Sequence, residues 1–249
     1  MPGENSREAF LDNVRRALGR PPGAVPDVTP HLGDLASVRE RARSVTGESG
    51  TRADALMSEL EVSASQAGWV VSRQESPEDA AQYIESLASD LEARSAVCSA
   101  HPVLDRLRLE ERLARRGVEL RLMVLSEGTD GSEIQRTRRS LREAALGADL
   151  GITGVDYAVA ETGSCVLLAG KGVSRLVSLL PPVHVAVVER GQVLPSLDEL
   201  FVLRRHDFLG GDGGSYMNII SGPSRSADID QTLVKGVHGP GEVHMLLLG

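Results

Sequence analysis

Aromatic residues are scarce in this 249-residue chain, at 3% of positions, so an interior built on stacked rings is excluded and Val, Leu and Ala must fill the core. Cysteine is nearly absent. Cys98 and Cys165 lie far apart, each inside an apolar run, which rules out a disulfide framework, a cysteine zinc site and a self-contained four-thiolate iron–sulfur cluster. No run reaches about 18 uninterrupted apolar residues, and the segment Met1 to Glu8 has no basic stretch leading into an apolar one. No membrane association and a cytoplasmic location are therefore expected. Basic charge is also short, with 27 Lys and Arg against 35 Asp and Glu, a net charge of -8. That field repels phosphate backbones and anionic bilayers, so nucleic acid is not an expected partner.

What is present is an ordinary apolar fraction of 41% in a length that one hydrophobic core can serve. Phe10, Leu11, Val14, Ala17 and Leu18 recur at helical spacing over residues 6 to 19, with Asn5 and Glu8 as a capping box. Pro21, Pro22, Gly23, Pro26 and Pro30 then make a stiff linker. Residues 1–30 are thus read as a helical arm and linker, and residues 31–249 as one α/β domain.

From Thr51 a helix is expected to about Ala67, stopped by Gly68, followed by a short strand at Trp69 to Val71. Ser76 caps a further helix that carries Pro77 in its first turn and Glu78 and Asp79 at its positive end. Ala96 to Cys98 reads as a strand, residues 103 to 116 as a charged helix, Val118 to Leu125 as a strand and Ser132 to Leu146 as a helix. This alternation favours a mostly parallel sheet flanked by helices. Beyond Gly147, strand-like runs at Tyr157 to Ala160, Cys165 to Leu168 and Val183 to Val188 crowd together, two of them as a hairpin. A capping box at Ser196 to Glu199 opens another helix, and strands follow at Tyr216 to Ile220 and Val243 to Leu248.

Two segments carry candidate chemistry. Glu161, Thr162, Gly163 and Ser164 sit between apolar strands, where an acid reaches a cleft or, alternatively, serves as a turn carboxylate. Lys171, Gly172 and Arg175 follow, an anion-receptive set of backbone donors and a guanidinium fork that can equally be solvated surface charge. His184, between Val183 and Val185, faces opposite to them. In the second segment Gly222, Pro223, Ser224 and Ser226 leave donors open, Asp228 can orient a hydroxyl or a histidine, and His238 before Gly239 and Pro240 offers an imidazole. A structural, hydrogen-bonded role is the competing reading for both histidines. No metal ligands are expected.

The run ITGVDYAVAETGSCVLLAGKGVSRLVSLLPPVHVAVV, then QVLPSLDEL, then SGPSRSADIDQTLVKGVHGPGEVHMLLL resembles the LUD-domain family across residues 150 to 249, three separated motifs in order. The resemblance implies a fold similar to the ribose-phosphate isomerase and coenzyme A transferase group. It also implies a part in oxidising L-lactate to pyruvate alongside iron–sulfur partner proteins. This chain lacks a Cys-rich region, so it is expected to bind no cofactor tightly, the clusters residing on the partners. Glu161, Thr162, Gly163, Arg175, Pro181, His184, Gly222, Pro223, Asp228, His238, Gly239 and Pro240 match as a ligand site. Glu161, Asp228 and His238 are its candidate catalytic groups. Glu161 and Arg175 are expected to line one pocket for a small carboxylate or phosphate-bearing ligand. A stand-alone isomerase or acyl-CoA transferase that uses Glu161 as base or nucleophile is the alternative. The sequence leaves self-association open.

Overall fold

The computed structural model of the chain describes residues 4–23, 34–125, 131–169, 175–214, 216–227 and 233–249. The first helix, α1, spans Glu4–Ala17, and the proline-rich stretch after residue 23 lies outside the described residues. Helices α2 (Leu35–Thr51) and α3 (Ala53–Ala67) precede the first strand. Then come β1 (Val70–Gln74), α4 (Pro77–Asp90), β2 (Ser95–Cys98), α5 (Pro102–Leu107), α6 (Leu109–Arg115) and β3 (Glu119–Leu122). Helix α7 (Gly131–Leu146) leads to β4 (Leu150–Gly154), β5 (Tyr157–Val159), β6 (Ser164–Ala169) and, after a 3-10 turn at Arg175–Ser178, β7 (Val183–Glu189). The chain ends with β8 (Val193–Leu194), α8 (Leu197–Leu209), β9 (Tyr216–Ile220), β10 (Arg225–Ala227), β11 (Leu233–Lys235) and β12 (Glu242–Leu248).

Six strands form a wholly parallel sheet in the order β1-β12-β7-β4-β2-β3. This is the α/β architecture expected of the alternating pattern. One face of the sheet packs on α4, α5 and α6, through Ile84, Val103 and Leu113 against Ile152, Val185 and Leu246. The other face meets α3 and a second sheet, ordered β8-β5-β6-β9, through Leu56, Leu60, Ala158 and Cys165 against Ala186, Met245 and Leu247. The outer face of that second sheet is covered by α2 and α8, where Val45 and Leu200 meet Val159 and Val166. β5 and β6 form the expected hairpin.

Among the departures from expectation, three have a plain physical reason. A single helix over residues 103 to 116 is replaced by α5 and α6, broken at Arg108 in the left-handed conformation with φ 50°. Leu107 and Leu109 are both buried, and residues two apart point to different sides of a continuous helix, so the break lets both reach the core. Helix α2 has no counterpart in the sequence reading, because its buried stripe of Val38, Ala42, Val45 and Ser49 is small and partly polar. Strand β4 is hidden for a similar reason, with Gly151, Thr153 and Gly154 diluting Leu150 and Ile152, yet all five residues are buried.

Candidate functional site

In an open parallel sheet, ligands bind at the carboxyl ends of neighbouring strands whose connections depart in opposite directions. β2 and β4 are such a pair. The chain leaves β2 toward β3 at one edge, and leaves β4 toward β7 on the other side. Ser99 and His101 follow the end of β2, while Thr153, Gly154 and Asp156 mark the end of β4. Above them the second sheet contributes Leu167 and Leu168 from β6 and Tyr216 and Asn218 from β9. Together with Arg175 these groups line a small, open cleft with a cavity volume of about 70 Å3.

Local chemistry fixes each wall. His101 caps α5: its Nδ1 accepts a hydrogen bond from the Val103 N–H at 3.3 Å. Its ring lies over the end of β4 because residue 154 is glycine. A Cβ there would stand 2.3 Å from His101 Cγ and Nδ1. Asp156 accepts a 2.7 Å hydrogen bond from the Leu168 N–H, tying the end of β4 to β6. Arg175 stacks over Tyr216, its guanidinium carbon 5.0 Å from the ring centre, and forms no ion pair with a described residue.

Behind the cleft, Thr153 Oγ1 lies 2.9 Å from His184 Nε2. His184 is fully buried, beside Trp69 at 6.1 Å between ring centres, and faces opposite to Val183 and Val185 as expected. Burial, reinforced by nearby His244, drives its pKa down to about 3, so the ring is neutral. Ser99 Oγ and Asn218 Nδ2 are buried without a hydrogen-bond partner among the described residues.

Of the site residues expected from sequence, Arg175 lines the cleft and His184 supports it through Thr153. Glu161 does not line it. Glu161, Thr162 and Gly163 form the turn, and Ser164 opens β6, at the opposite end of the β5–β6 hairpin, because the strands carry Asp156 and Leu168 to the cleft and the turn away from it. Glu161 is exposed, and its N–H donates to the Pro195 carbonyl at 3.0 Å. Thr162 and Ser164 hydroxyls lie 2.8 Å apart, and Ser164 Oγ lies 2.6 Å from Ser221 Oγ.

Gly163, at φ 61°, presses on the end of α3, where a Cβ would come within 2.5 Å of the Ala64 nitrogen. Gly222 meets the Ala67 carbonyl oxygen in the same way, at 2.3 Å, and Pro223 is close by at Gly68. These glycines serve close packing rather than an open donor site. Ser224, His238 and Gly239 are knit together: the His238 N–H donates to Ser224 Oγ at 3.2 Å, and Ser224 N–H donates to the Pro240 carbonyl at 2.8 Å. His238 is exposed there. Lys171, Gly172 and Asp228 lie outside the described residues.

Ser99, His101, Thr153, Asp156, Tyr216 and Asn218 escaped the sequence reading. A signal existed for the first two: they follow Ala96 to Cys98, already recognised as a strand, and the end of a parallel strand is a ligand position. Both cysteines are buried, and burial pushes the Cys98 thiol up to about 11 and Cys165 up to about 12. Among the described residues no three His, Cys, Asp or Glu side chains gather as a metal-holding group. No helix among them is long and apolar enough to cross a membrane.

A parallel sheet with a cleft at its switch point, roofed by a smaller mixed sheet, defines an α/β domain. The chain belongs to the LUD-domain family, whose domain matches residues 57–248. It is 38% identical over 162 residues to lactate utilization protein C of Halalkalibacterium halodurans, covering 64% of each chain. To the protein of that name in Bacillus subtilis it is 38% identical over 102 residues, 41% of this chain and 42% of the other. Lactate utilization protein B of Shouchella clausii is 26% identical over 259 residues, 87% of this chain and 53% of the relative. In each alignment the chain spans less than two thirds of the relative's length. Among solved structures, a DUF162 family protein from Deinococcus radiodurans superposes with a TM-score of 0.51 at 20% identity, covering 79% of this chain and 98% of that one, and shares the fold.

Proposed function

We propose that this protein is an accessory chain in the oxidation of L-lactate to pyruvate, working in the cytoplasm with iron–sulfur partner proteins and binding a small anionic ligand in the switch-point cleft. The observation that carries this reading is the pairing of two facts: relatives named for lactate utilization, and a cleft presenting Arg175 at the carboxyl end of the sheet. Electron transfer belongs to the partners in this scheme, since the two thiols here are separate, buried and held protonated. The chain's own residues hold and orient the anion. The exposed Glu161 sits at the far end of the hairpin from Arg175 and outside the cleft, so these two are not paired as base and anion holder for isomerase or acyl-transfer chemistry.

Deleting the gene and supplying it back tests the proposal. Growth on L-lactate as carbon source is expected to fail without the gene, to return with the natural sequence, and to stay impaired with Arg175→Ala at an equal level of folded protein. Undiminished growth of the deletion strain on L-lactate overturns the role.

A further inference from the structure

We infer that the cleft is built to take a compact 2-hydroxycarboxylate, its carboxylate paired with Arg175 and held by donors from Ser99, Thr153 and Asn218, and its hydroxyl donating a hydrogen bond to Asp156. The inference deepens the proposed role, on which it rests for the choice of L-lactate as probe. The geometry of the donors stands apart from that choice.

Two donors in the wall are unspent. Ser99 is only 5% exposed, yet its Oγ has no hydrogen-bond partner among the described residues, and Asn218 Nδ2 is in the same state. Both residues line the cleft. Buried polar groups in native proteins nearly always find partners, so two orphans carried by residues of one cleft wall point to a ligand that completes them.

Thr153 adds a third donor by an argument from tautomers. The neutral His184 ring carries one proton. Placed on Nδ1, that proton has no acceptor, because Nδ1 is buried without a partner. Placed on Nε2, it bonds Thr153 Oγ1 at 2.9 Å. Thr153 therefore accepts from His184, and its own hydroxyl proton is free to donate into the cleft it lines. His101, with Nδ1 accepting from the Val103 N–H, has Nε2 as its remaining ring donor.

The cleft is thus rich in donors and carries one described cation. Its guanidinium, with the central carbon 5.0 Å from the Tyr216 ring centre, offers a donor fork to a two-oxygen acceptor, and the small, partly apolar cleft favours a carboxylate on a short alkyl group over inorganic phosphate. Among the lining residues Asp156 is the one carboxylate. With Oδ2 taking the Leu168 N–H, it retains acceptor capacity for a ligand hydroxyl. Leu167 and Leu168 supply an apolar wall for a short alkyl group.

Calorimetric titration of the purified chain with L-lactate, acetate and inorganic phosphate at matched ionic strength reads this directly. L-lactate is expected to bind more tightly than acetate or phosphate. Ser99→Ala and Asn218→Ala are each expected to weaken it about tenfold or more without lowering the ligand-free melting temperature, the scale for a hydrogen bond to a charged group. Asp156→Asn should weaken L-lactate while leaving acetate unchanged. No L-lactate binding, or equal binding of phosphate, overturns the inference, as do unaltered affinities in the Ser99 and Asn218 variants. The two proposals fail separately: normal growth of the deletion strain removes the metabolic role and leaves the titration intact, whereas failed titration with lost growth removes only the ligand.

Discussion

Acidification offers a test that begins with one imidazole. His184 is fully buried, and its pKa falls from 6.5 to about 3 in the folded protein. Between those values the unfolded chain binds a proton that the native state refuses, so stability contributed by the neutral ring is fully present above pH 6.5 and is lost as pH falls toward 3. From pH 7 to pH 5 the loss works out at about 2 kcal/mol for this one residue, given an unfolded pKa near 6.5. Urea unfolding at pH 7, 6 and 5, on the natural sequence and on His184→Gln, isolates it. Gln retains an amide to meet Thr153 but does not titrate. The natural protein should lose about 2 kcal/mol more than the variant over that interval. Identical pH slopes in the two proteins would refute the claim that His184 is neutral and sealed from water.

Gly154→Ala should drive the His101 ring from its seat, because the new Cβ overlaps it, removing the α5 cap at about 0.5–2 kcal/mol. The melting temperature should drop by about 2–4 °C per kcal/mol lost, with weaker ligand binding; an unchanged melting curve contradicts the contact. Removing residues 1–25 should alter assembly or partner binding, since Phe10 of α1 and Leu18 just after it are 64% and 63% exposed and an isolated helix of this length is marginal. Unchanged assembly in light scattering and partner pull-down counts against an interaction role for α1. Metal analysis of the purified chain should find no stoichiometric iron, and finding it would move electron transfer onto this chain.

Much of the frame was legible because its signals are local. Ser76 accepts from the Asp79 N–H with Pro77 opening α4, and Gly68 closes α3 at φ 100°, as the cap chemistry requires. β12 and β7 announce themselves as apolar runs. The site was less legible because it is assembled across the fold. Arg175 stood out as a cation among glycines, but its stacking partner Tyr216 is 41 positions away in sequence and reaches it only through the pairing of β6 with β9. Thr153 hides inside a strand that its glycines disguise. Glu161 drew notice as an acid at a strand end, and sequence alone does not say which end of a hairpin faces the cleft. The tight approach of Gly163 to α3 settles that direction.

A crystal structure of the chain soaked or grown with L-lactate tests the central claim most directly. The account predicts ligand density between Arg175, Asn218 and Ser99, with a carboxylate against the guanidinium and the hydroxyl within hydrogen-bonding reach of Asp156. Density at the Glu161 turn instead, or an empty cleft in a crystal whose protein binds L-lactate in solution, would contradict it.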